Sequence, residues 1–262
     1  MTQAQPRPNQ RTYRGSCHCG AFVYDIDLPE LRIVVECDCS FCRRTGNLYV
    51  PTGEDANFRV VNGGEENLKS YTFGPGSKIH KVKAVDKYSP EHFKVWTWVS
   101  WSGNRHSIFS SKVGAQYQPP EHKGDMPRIV EGGQLYTGSC HCGAVTVALS
   151  CRPLKESSVE GVVVCNCHIC QRNAYVWLFP KAENMVLSGS KAGIGRYAFS
   201  EGLTSKSFCR ACGVGMTFLM NQPVEDRDLA ASESSCRAYR EVNTSHPVNA
   251  RVLHGVDVSK PR

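Results

Sequence analysis

No run of apolar residues in this chain approaches the ~18 that a membrane-spanning helix requires, so no membrane role is expected. The first segment, MTQAQPRPNQRTYRG, has no apolar core of the kind a secretory signal needs. It also lacks the Ser-rich, extended Arg-rich character of a transit peptide. A cytoplasmic location is therefore expected, with the nucleus as the alternative. Blocks of about five or six like charges are missing too, although the formal net charge is +7. The positive surplus is spread along the chain and reads as a basic surface. Nucleic-acid binding through a basic face remains the second reading. Hydrophobic residues make up 40% and charged residues 21% of the 262 positions, a globular composition and not a disordered one.

What the chain has in excess is cysteine, 14 of them. In a chain without a secretory signal, that density points to metal or redox chemistry and away from a disulfide framework. Thiolates bound to zinc carry their own charge: a four-Cys site amounts to about −2 and a three-Cys site to about −1, so metal binding would lower the net charge below the formal figure.

The cysteines fall in a pattern that occurs twice. GSCHCG stands at residues 15–20 and again at 138–143, each time followed by an alternating run, Ala21 to Ile26 and Ala144 to Leu149, that reads as a strand. A CxCxxC element follows in both, Cys37-Asp38-Cys39-Ser40-Phe41-Cys42 and Cys165-Asn166-Cys167-His168-Ile169-Cys170. Each is led by a short apolar run, Ile33 to Val35 and Val162 to Val164, which reads as a strand delivering the thiols. A third landmark separates the copies. The second has Phe208-Cys209-Arg210-Ala211-Cys212-Gly213, whereas the first has Phe109-Ser110-Ser111-Lys112-Val113-Gly114, with Ser110 and Val113 where the cysteines should be.

This is the signature of two diverged copies of one domain, the first over residues 11–123 and the second over 134–262. The stretch between them, Glu121 to Gly133, is rich in Gly, Pro and charge, as a linker is. The copies differ in length: 67 positions separate Cys42 from Phe109 but 38 separate Cys170 from Phe208, so the first carries about 29 extra residues there. They include Trp96, Trp98 and Trp101. The surplus, near Lys78 to Arg105, is either a true insertion or a retained intron.

Zinc accepts four thiolates in a tetrahedron, and two pairs brought together by a fold make a closed site. In the second copy the pairs are Cys140/Cys142 and Cys209/Cys212. CxCxxC supplies three thiolates from one loop and leaves the fourth position open for water or substrate, the arrangement of a catalytic zinc. Those sets are Cys165, Cys167 and Cys170, and Cys37, Cys39 and Cys42. Cys151 and Cys236 fall outside the pattern and read as ordinary, partly covered thiols. His18 and His141, between paired cysteines, read as structural filler whose side chains point away from the sulfurs. His168 lies inside the open-site loop and could line it. Arg43, Arg44 and Arg172 follow the loops and are either receptors for a substrate carboxylate or surface arginines.

GSCHCGAV, then CxCxxC with a following Arg, then FCxxCG resembles the glutathione-dependent formaldehyde-activating enzyme family, also called the CENP-V/GFA domain. The resemblance implies a mainly β structure: two tandem Mss4-like zinc-binding domains of folded antiparallel sheets. It implies a structural zinc on Cys140, Cys142, Cys209 and Cys212, and a catalytic-type zinc on Cys165, Cys167 and Cys170. In the first copy it implies a catalytic-type zinc on Cys37, Cys39 and Cys42. Cys17 and Cys19 match only half of a structural set, so the first copy is degenerate and holds one zinc or two. The implied activity is addition of glutathione to formaldehyde, giving S-hydroxymethylglutathione, formally a carbon–sulfur lyase reaction run in the joining direction on a small thiol–aldehyde adduct. Two other readings compete: a zinc-stabilised binding module for chromatin or a protein partner, and a division of labour in which the second copy works and the first serves as scaffold.

Overall fold

The computed structural model describes residues 10–50, 57–64, 68–73, 82–85, 104–108, 117–154, 162–199, 202, 204–221 and 244–258. Phe109, Ser110 and Val113, the tryptophans of the surplus segment and Cys236 lie outside the described residues.

The first half contributes β1 (Gln10–Ser16), β2 (Val23–Pro29), β3 (Ile33–Cys37), the short helix α1 (Ser40–Thr45), β4 (Leu48–Tyr49), β5 (Asn57–Asn62), β6 (Leu68–Tyr71), β7 (Val82–Val85) and β8 (Asn104–Ile108). The second contributes β9 (Gln134–Ser139), β10 (Val145–Cys151), β11 (Val162–Val163), helix α2 (His168–Asn173) and β12 (Trp177–Leu178). It continues with β13 (Met185–Gly189), β14 (Ile194–Phe199), β15 (Thr204–Cys209), β16 (Gly215–Met220) and β17 (Val248–Asn249). The class is mainly β, as expected. Among the described residues the strands pair antiparallel save for β3 and β8, which run parallel. Their orders are β1-β2-β5, β13-β10-β9, β11-β12-β17-β16-β15-β14, β4-β3-β8 and β6-β7.

Strand β2 shows how sequence sets register. Tyr24, Ile26 and Leu28 turn inward and are buried, as a period of two requires. Asp27 breaks the pattern, being buried on the opposite face. It lies directly across from Thr12 on β1 and Asn57 on β5. Thr12 Oγ1 donates to it at 2.7 Å, Asn57 Nδ2 at 3.0 Å and the Arg59 guanidinium at 2.6 and 3.1 Å, so a buried carboxylate has its acceptor capacity filled.

Pairings repeat between the halves. Ser16 faces Val23 and Gly15 faces Tyr24; Ser139 faces Thr146 and Gly138 faces Val147, the same register 123 residues on. The Tyr13 hydroxyl accepts from Leu31 N at 3.1 Å, and that of Tyr136 from Leu154 N at 2.7 Å, again 123 residues on. Val35 faces Tyr49 as Val163 faces Trp177, 128 residues on.

The two versions of this hairpin differ in cover. Every residue of β10 from Val145 to Ser150 is buried. Val145, Val147 and Leu149 face the core. The opposite face, small and polar, is crossed by the linker, where Lys123 N donates to Thr146 Oγ1 and Val130 N to Ser150 Oγ. The main core gathers side chains from both halves: Phe41 and Cys42 of α1 pack in one cluster with Val145, Leu149, Val214, Met216 and Val252. At ~1.5–3 kcal/mol per fully buried large apolar side chain, this shared cluster is a principal source of cohesion between the halves.

Candidate metal centres

Each GSCHCG segment forms a tight turn after its strand. The last glycine, Gly20 or Gly143, takes positive φ (74° and 79°) and returns its N–H to the carbonyl of Cys17 or Cys140. The first thiol of each turn accepts a backbone N–H five residues on, Phe22 to Cys17 and Val145 to Cys140, both at 3.3 Å. FCRACG turns likewise through Gly213, at the end of β15, which lies between β14 and β16.

In the second half the two turns meet. The sulfurs of Cys140, Cys142, Cys209 and Cys212 lie within 4.8 Å of one another, with Cys140–Cys142 at 3.6 Å and Cys142–Cys209 at 3.5 Å. A disulfide would hold its sulfurs at about 2.05 Å. Four thiolates about 2.3 Å from one tetrahedral zinc stand about 3.8 Å apart, so the set fits that ion. The protons are shared unevenly. Cys142 and Cys209 are held below the ordinary thiol range by hydrogen bonds from Cys140, while Cys212 is pushed up by burial and Cys140 by its bond to Cys142. Metal uptake would displace the protons that remain.

Both CxCxxC loops also gather their thiols: Cys37, Cys39 and Cys42 in one group, Cys165, Cys167 and Cys170 in the other. In each, the middle cysteine is the N-cap of a one-turn helix and the third lies inside it. Cys39 and Cys167 are both pulled down to about 5, chiefly by hydrogen bonds from Cys42 and Cys170, which are pushed up in turn. Each third thiol has a ring donor on the following strand: Tyr49 Oη at 3.1 Å from Cys42 Sγ and Trp177 Nε1 at 3.3 Å from Cys170 Sγ. The loops differ in access. All three first-half thiols are buried, whereas Cys167 is exposed and Cys165 half-buried.

A family model described as Glutathione-dependent formaldehyde-activating enzyme matches residues 135–238.

That match takes in all seven clustered cysteines of the second half. Among solved structures, a Rhodobacter sphaeroides protein is 21% identical over 47% of this chain and 91% of its own, with a TM-score of 0.33, a likeness too slight to bear on the fold. No curated protein matches the chain.

Cys17 and Cys19 stand 3.3 Å apart, and among the described residues no third His, Cys, Asp or Glu makes a metal-sized group with them. Of the arginines, Arg43 is exposed. Arg44 is buried and spends its Nε on the Ser139 carbonyl (3.1 Å) and its Nη1 on the Ser40 carbonyl (2.8 Å). Arg172 makes the matching bonds to Ser16 and His168 carbonyls at 3.4 and 3.5 Å. The structure thus gives Arg44 and Arg172 backbone partners, each reaching across to the other half.

Two features carry no mark in the motif. Lys206, on β15, is only 4% exposed. Its ammonium stands 3.6 Å from the Phe218 ring centroid and 4.2 Å from that of Trp177. Burial lowers its pKa, while the neighbouring Cys170 and Cys167 sulfurs work the other way. The histidines between the paired cysteines are the second. His141 is buried, with Nε2 3.0 Å from Ser40 Oγ and Nδ1 2.7 Å from Tyr71 Oη, and its ring is stacked on Tyr117. His18 Nδ1 is 2.6 Å from Tyr197 Oη. Both histidines thus make structural contacts between the halves.

Proposed function

We propose that the chain is a zinc-dependent enzyme of carbon–sulfur bond chemistry, joining a small thiol such as glutathione to formaldehyde or a related aldehyde. The working site is the Cys165/Cys167/Cys170 group. The carrying observation is that these three thiols converge with one member exposed, so a three-ligand metal there has room for a fourth partner. The family match over the same residues supports the substrate class.

Zinc on three thiolates would supply a Lewis-acid position that either holds a thiol as thiolate or polarises a carbonyl oxygen. The chain's own residues do the rest. The hydrogen bond from Cys170 holds Cys167 below the ordinary thiol range, which favours loss of its proton to a metal. Lys206 stands buried beside the three thiols; in its protonated form it would offset the charge of zinc-bound thiolates, so an incoming thiolate would meet less repulsion. Phe218 and Trp177 hold that ammonium in place from two sides. Holding thiol and carbonyl carbon side by side supplies the remaining gain, through orientation. The closed Cys140/Cys142/Cys209/Cys212 group is then structural, clipping the turn after β9 to the end of β15.

In this reading the halves are two copies of one domain, 11–123 and 134–262, with zinc at two groups in the second and one in the first. The repeated registers at shifts of 123 and 128 support it. The first copy's Cys37/Cys39/Cys42 group is fully buried, which favours a structural role there and turnover at the second.

Glutathione and formaldehyde combine unaided, so the test is exchange NMR at equilibrium, which reads the interconversion rate directly. Zinc-loaded parent chain should broaden or exchange the hydroxymethyl signal faster than buffer, and Cys167→Ser should return it to the buffer rate. A zinc-loaded parent that leaves the rate at the buffer value contradicts the proposal.

A further inference from the structure

The contacts between the halves are reciprocal. Arg44 of α1 donates to Ser139 O, and Arg172 of α2 donates to Ser16 O. His141 meets Tyr71 and Phe73 of the first half; His18 meets Tyr197 and Phe199 of the second, at ring separations of 5.5 and 5.9 Å. Tyr-Thr-Phe at 71–73 and Tyr-Ala-Phe at 197–199 are thus matching receivers. Such i-to-j, j-to-i pairing is the geometry of a two-fold interface, here within one chain.

Each histidine arrives beside the other half's CxCxxC loop. His141 lies against Ser40 and Phe41, between Cys39 and Cys42, with both ring nitrogens bonded. Buried among Phe41, Tyr71, Phe73 and Tyr117, it seals the first-half loop. The mirror contact is open. His18 is exposed, its receivers Tyr197 and Phe199 pack with Cys165 against the cluster that holds Ile169 and Cys170, and among the described residues it has Nδ1 bonded to Tyr197 and no hydrogen bond at Nε2.

We propose that the second-half site is completed by the first half: His18 is a substrate-binding residue supplied across the interface, fixed by Tyr197 and Phe199, with Nε2 offered to a polar group of the small thiol or its hydroxymethyl adduct seated at Cys165/Cys167/Cys170. This rests on the functional reading above. It gives the first half, with its incomplete cysteine set, a task in the second half's site, and it makes the unequal sealing of the two loops the origin of their division of labour.

The test uses the full-length chain loaded with Co2+, whose visible bands report the ligands around the metal, titrated with glutathione. The parent should show a saturable spectral change that Cys167→Ser abolishes. His18→Ala should need about tenfold more glutathione for the same change, the loss expected for one hydrogen bond to a ligand. Metal content and melting temperature should stay those of the parent. His18→Asn should recover part of the loss, and Tyr197→Phe, which keeps the ring and removes the hydroxyl that fixes His18, should weaken binding less than His18→Ala. A responding parent with an equally responding His18→Ala overturns this inference and leaves the functional reading standing. A loaded parent that shows no change overturns both.

Discussion

Cys167 and Lys206 stand at one cluster of thiols, the first a residue that the sequence announces and the second one that it hides. Three thiols in CxCxxC are local, and a one-turn helix after the middle cysteine is enough to bring them together. Lys206 lies 36 positions beyond Cys170 in a strand, Thr-Ser-Lys-Ser-Phe-Cys, where a lysine reads as solvent-facing. Only the six-stranded sheet, which buries β15 on both sides, brings it to the thiols. The available signal was a lone cation two residues before the FCxxCG knuckle. Its charge favours the thiolate at both Cys167 and Cys170. Lys206→Met should therefore shift zinc retention to higher pH and weaken it about tenfold against a competing chelator at neutral pH. A chelator titration that places the variant with the parent would show the cation to be idle.

At the scale of elements, the strand after each GSCHCG followed from alternation, whereas the strand before it and the hairpin they make did not. Nor did the burial of both faces of β10, because the linker that covers it approaches from outside its period. Asp27 shows the same limit: in sequence it is a polar residue in an apolar strand, and only pairing with β1 and β5 supplies its partners. Hydrogen bonds from Arg59, then Thr12, hold its carboxyl well below the ordinary carboxylate value of ~3.9. The folded pKa is depressed, so this stabilisation is fully present above that value and is lost as pH falls through the folded one. Arg59→Leu should flatten the acid limb of the stability curve. Urea midpoints measured at several pH values would check this, and an acid limb as steep as the parent's would remove Asp27 from the account.

For the whole molecule, the interface between halves is the feature least visible beforehand. His18 and Tyr197 are 179 positions apart, and no periodicity reports such a pair. Two helix ends meet between the halves. Gly46 and Ala174 end α1 and α2 with φ of 61° and 48°, and a Cβ added at Gly46 would fall 2.5 Å from that of Ala174. Ala174→Gly should raise stability by about 0.5–1 kcal/mol by relieving positive φ. Gly46→Ala should cost about 1–3 kcal/mol by forcing the halves apart. Thermal melts that move in the opposite directions would contradict this reading of the contact between the helix ends.

The central claim is that Cys165, Cys167 and Cys170 hold a metal of their own, separate from the closed four-cysteine group. Elemental mass analysis of zinc per chain, on protein purified without added metal, tests it most directly in the parent and in Cys167→Ser. The three thiol groups predict three zincs in the parent, falling to two in a variant that keeps the parent's folded spectrum. One zinc or fewer in the parent, or the same count in both, would contradict the account.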